Sequence, residues 1–189
     1  MVPPSKIPCG WSGSITDFLL LPKAYWVTAL QEHHHRCTNS SADQGQLLAW
    51  DLEYDLLAKE LKQLVQVRPD TGSYTIIFEQ GSPREQGRNP AVIILGTSAY
   101  VLKFEDDAQI LHAYVDRVAA YADDLKQRHA GSPAASVVPM LVLNKAKELI
   151  KREEDVIVFS PDRLAAVFTV EAEIETGTLI DPAAWINAR

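Results

Sequence analysis

Apolar positions fall along the chain at two spacings, and the changes from one to the other mark out its elements. In the middle, three short runs, 74–78 (YTIIF), 91–95 (AVIIL) and 100–104 (YVLKF), are separated by segments holding Gly81, Pro83, Gly87, Pro90 and Gly96. Apolar and β-branched runs bounded by turn residues read as consecutive strands of one sheet. Two further runs follow, 137–143 (VVPMLVL) and 156–159 (VIVF). Pro139 lies inside the first of these and has no N–H for a ladder, which predicts an edge position or a local distortion. Elsewhere the spacing is helical. Leu47, Trp50, Tyr54, Leu57, Leu61 and Leu64 recur at steps of three and four, as do Ile110, Tyr114, Val118, Tyr121 and Leu125, and each set is a stripe that faces a core.

Polar and turn residues set the boundaries. Ser14 suits the N-cap of a short helix (ITDFLLL), and Pro22 suits the start of a second one from Lys23 to about 36. Ser41 with Gln44 has the spacing of a capping box for a long helix to about 65. Residues 68–73 (RPDTGS) are turn chemistry leading into the first strand. Asp106 and Asp107 are suited to open a helix to about 129, with Gly131 to Pro133 ending it. Residues 144–155 read as a charged, partly helical connection, and Ser160 with Pro161 starts the next helix. Residues 1–13 read as an irregular arm and 172–189 as an irregular C-terminal segment. The plan is a single α/β domain, a central mixed sheet of about five strands flanked by helices, with a helical N-terminal part.

Composition narrows the class. With 189 residues and 47% hydrophobic content, one domain buries roughly 70% of its unfolded surface. The 25 acidic residues outweigh the 18 basic ones, for a net charge of −7, and no Lys/Arg-rich run is present to track a phosphate backbone against that field. Two cysteines, Cys9 and Cys37, are too few for a disulfide framework, and the first ten residues lack a charged region followed by an apolar one. A cytoplasmic chain with no membrane span is expected. His33, His34 and His35 sit about 100° apart on a helix and cannot converge on one ion. A solvated helix end is the reading for them.

Candidate chemistry gathers at the end of the third run. Val101, Lys103 and Glu105 share one face of that strand, and Leu102 and Phe104 the other. Charged residues near the end of an apolar strand are either a solvated edge or a site. The segments IIFEQ at Glu79, GRNPAVIIL at Ala91, YVLKFED at Lys103, DRVAAYADDLKQRHAGS at Tyr121, VVPMLVL at Pro139 and IDPAAW at 180–185 occur in this order. Together they resemble the restriction-endonuclease-like PD-(D/E)XK domain, in the version that precedes a P-loop helicase module in bacterial helicase-like proteins of unknown function.

The departures from that family are as informative as the matches. Ala91 stands where the resemblance implies a metal-binding Asp, Lys103 and Glu105 where it implies Glu then Lys, and Arg117 where it implies Gln. Glu79 and Tyr121 remain in register. Glu105 lies about 6.6 Å along the strand from position 103, and a Lys about 4 Å from a divalent ion repels it by roughly 8 kcal/mol at an effective dielectric of about 20. An ion pair between Lys103 and Glu105 on the former catalytic face is the simpler expectation.

The resemblance therefore implies a catalytically degenerate nuclease-like domain, more a pseudo-nuclease than an enzyme. Such a domain binds nucleic acid or protein, attached to or partnering a helicase, with 172–189 as a linker. The first alternative is an active nuclease with a migrated site, Glu79 with Glu105 or Asp106 around Mg²⁺ or Mn²⁺. The second is a stand-alone interaction protein unrelated to nucleic acid. On the first reading no cofactor is required. Arg84, Arg88 and Arg117 are the side chains that would touch phosphate, although loop arginines at the surface of an acidic chain are ordinarily solvated. No G-x-x-x-x-G-K-[ST] and no G-x-S-x-G are present, and Cys37 lacks the separate His and acid of a thiol triad.

Overall fold

The computed structural model describes residues 9–79, 90–128, 136–174 and 178–187. In chain order these form β1 (Trp11–Ser14), α1 (Ile15–Leu20), α2 (Lys23–Thr38), α3 (Gln44–Val67), β2 (Thr75–Phe78), β3 (Ala91–Leu95) and β4 (Ser98–Glu105). Then come α4 (His112–Arg128), β5 (Ser136–Leu143), β6 (Ile150–Glu153), β7 (Val156–Phe159), α5 (Leu164–Glu173) and α6 (Pro182–Asn187). Among the described residues the strands make one seven-stranded sheet in the order β1-β2-β3-β4-β5-β7-β6. The first four strands run antiparallel, β4, β5 and β7 are parallel, and β6 returns antiparallel to β7. The parallel step from β4 to β5 needs a crossover, and α4 supplies it.

Side-chain alternation divides the core in two. Ile76, Phe78, Ala91, Ile93, Tyr100, Leu102 and Phe104 pack with the inner faces of α1, α2, α3 and α5. Ile77, Val92, Ile94, Ala99, Val101 and Leu141 pack with Val118, Tyr121 and Leu125 of α4 and with Ile180 and Trp185 near the C-terminus. The fold is therefore α/β with helices on both faces of the sheet. On the first face Phe18 is fully buried, its ring centroid 5.9 Å from that of Trp11, 5.1 Å from Tyr54, 5.4 Å from Phe78 and 6.3 Å from Trp26. Burying a side chain of that size contributes about 1.5–3 kcal/mol, so this cluster is what fixes α1–α3 to the sheet.

The five expected strands are all present, and two more join them at the edges. β1 overlaps the segment expected to be irregular; it pairs antiparallel with β2, and its short, half-exposed sequence, WSGS, carries no apolar alternation to reveal it. At Gly10, just before β1, an added Cβ would lie 2.5 Å from Cδ2 of Leu30, so any larger residue would push the Leu30 side chain aside. β6 replaces the expected partly helical connection. Its sequence, IKRE, is mostly solvent-exposed, so no apolar pattern marks it, and its charged side chains suit an unpaired sheet edge.

Four other expectations are corrected. Asp43, two residues beyond Ser41, caps α3: its Oδ1 accepts from Gln46 N–H at 2.8 Å, and Gln46 Oε1 accepts from Asp43 N–H at 3.2 Å. Asp107 starts a tight turn instead of a helix, its Oδ1 accepting from the amides of Ala108 at 2.7 Å and Gln109 at 3.0 Å, and α4 begins only at His112. Pro139 lies on an interior strand, tolerated because β7 covers β5 only from Met140 onwards. The C-terminal segment is not wholly irregular, since α5 runs to Glu173 and α6 packs Trp185 against the sheet. The expected helix end at Gly131 to Pro133 lies outside the described residues. Among the described residues no helix is long and apolar enough to cross a membrane.

Candidate functional site

The expected site residues come from the end of the sheet where β2, β4 and β5 finish and β3 begins. Ligand sites of α/β sheets form outside the carboxyl ends of parallel strands, and β4 and β5 are parallel here. Along β4, Val101 packs in the α4 cluster while Leu102 and Phe104 pack in the opposite one. Lys103 and Glu105, at alternate positions from Val101, therefore face α4. Arg117, one turn before the buried Tyr121 on α4, reaches Glu105 with 3.5 Å between Nη1 and Oε1. Glu105 thus has an ion-pair partner on the helix.

Neighbouring groups extend this network. The Arg117 guanidinium lies 5.6 Å from the centroid of the Tyr114 ring, and the Tyr114 hydroxyl donates to Asp107 Oδ2 at 3.3 Å. Desolvation, followed by the charge of Asp107, pushes the Tyr114 phenol above its usual range. The Gln109 and Ala108 amides hold the Asp107 carboxyl below the usual carboxylate range. Asp106 points to solvent and meets Lys145 at 2.9 Å, whose ammonium is raised by that hydrogen bond. Arg117 and Lys145 are thus each matched to a carboxylate. Such exposed pairs add little stability, and they leave Arg117 and Lys145 partly neutralised for any anionic ligand.

Glu79 and Ala91 belong to the other face. Ala91 pairs with Leu102, and both sit in the cluster with α2 and α3. Glu79 follows β2 with φ of 52°, a left-handed conformation that disfavours a residue with a Cβ by roughly 1 kcal/mol. Its buried carboxylate accepts a hydrogen bond from Trp50 Nε1 of α3 at 3.2 Å. The buried His34 ring stands edge-on to Trp50, with centroids 6.3 Å apart. His33 and Glu53 are also buried. The histidine run is therefore not a solvated helix end: α2 continues to Thr38, Asn39 closes it with φ of 56°, and only His35 faces water. Cys37 Sγ lies 3.6 Å from His33 Nε2.

The structure thus brings Glu105, Arg117 and Tyr121 together on the α4 face and sends Glu79 and Ala91 to the opposite layer, with Asp106 at the surface. Arg84 and Arg88 lie outside the described residues. Trp50, Tyr114 and Lys145 carry no site signal in the sequence: Trp50 and Tyr114 read only as members of apolar stripes, and Lys145 as one charge in a polar connection. Among the described residues no group of three or more His, Cys, Asp or Glu side chains is placed to hold a metal ion. No family model, no curated protein and no solved structure matches the chain.

Proposed function

We propose that this chain is a nuclease-like domain with a degenerate active site that works as a binding module for a partner protein. The observation that carries the reading is the split of the expected catalytic positions: Ala91 faces α2 and α3, while Lys103 and Glu105 face α4, and Glu105 is engaged by Arg117. A metal-dependent nuclease needs carboxylates converging within about 2 Å of one ion. The element order α3-β2-β3-β4-α4-β5 supports the resemblance to the PD-(D/E)XK frame, and a P-loop helicase, in the same polypeptide or a separate one, is the partner which that resemblance implies. Protein suits the surface better than nucleic acid, because the net charge is −7 and the cations Arg117 and Lys145 are each paired with an acid.

Two measurements test the proposal. Purified protein incubated with duplex and single-stranded DNA and RNA in Mg²⁺ or Mn²⁺ is expected to leave them intact. Cleavage that disappears in Glu79→Ala would establish the active nuclease with a migrated site instead. Fluorescence anisotropy with labelled DNA and RNA at about 50 and 200 mM salt is expected to show no binding. Binding that weakens steeply with salt would replace the protein partner with nucleic acid.

A further inference from the structure

We draw no further inference here: the strongest candidate, the shallow apolar groove between α2 and α3 floored by Val27, Leu47 and Leu48, carries nothing because nothing in the structure shows what covers it.

Discussion

Ala91 and Lys103 lie on adjacent, hydrogen-bonded strands and face opposite sides of the sheet, because the antiparallel register sets Ala91 against Leu102 and leaves Lys103 one residue on. A carboxylate introduced at position 91 is therefore placed among apolar side chains under α2 and α3. Ala91→Asp is expected to gain no Mg²⁺- or Mn²⁺-dependent cleavage and to lose at least about 2 kcal/mol of stability, the cost of burying a polar group without partners. Urea unfolding and a plasmid-nicking assay read the two outcomes, and nicking by this variant alone would show that the sheet end rearranges.

Trp50 and Glu79 form the buried hydrogen bond that ties α3 to the end of β2. Trp50→Phe keeps most of the ring volume and removes the donor. It is expected to destabilise by about 1–2 kcal/mol, the cost of leaving a buried acceptor without its donor. A double-mutant cycle with Glu79→Ala checks the coupling. A coupling energy indistinguishable from zero would mean that Glu79 is held by other contacts.

Acid should loosen the fold through specific carboxylates. The folded-state values of Asp17, Asp107 and Asp162 lie below the ordinary one: Ser14 bonds to Asp17, the Gln109 and Ala108 amides to Asp107, and Ser160 then Glu148 N–H to Asp162. A depressed carboxyl value contributes stability that is present above the unfolded value, about 3.9, and is lost as pH falls through the folded one. Melting temperatures are therefore expected to drop below about pH 4, with a shallower drop in Asp162→Asn. An identical acid profile for wild type and this variant would remove Asp162 from the account.

Glu154 opens the two-residue turn between β6 and β7 with φ of 53°, where glycine has no steric cost. Glu154→Gly is expected to stabilise by up to about 1 kcal/mol, seen as a rise of roughly 2–4 °C in Tm for a domain of this size. A fall in Tm would mean that Glu154 makes contacts worth more than the relief of strain.

Much of this architecture was legible in the residues, for identifiable reasons. β2, β3, β4, β5 and β7 are buried on at least one face, so their apolar runs stand out, and the parity of Val101, Lys103 and Glu105 is a property of any strand. β6 escaped notice because its exposed side chains are charged, and β1 because it is short and glycine-containing. The burial of His33 and His34 depends on how α3 folds back over α2, which local helix geometry does not express. At the site, alternation gave the face of Glu105. It could not give the side to which Glu79 turns, because the left-handed backbone at that residue breaks the alternation, and it could not give the β3 to β4 register that separates position 91 from position 103.

The pairing of β1 with β2 joins residues on either side of the whole α1–α3 segment, Trp11 opposite Phe78 and Ser14 opposite Thr75. Closing so long a loop costs entropy before any contact rewards it, whereas β3 and β4 meet across a short turn. β1 should thus be the last strand to join during folding and among the first to detach in the native state. Amide hydrogen exchange is expected to be faster in Ser12 and Gly13 than in Ile93 and Val101. The three N-terminal helices would then acquire their fixed seat on the sheet only after the central strands have already formed.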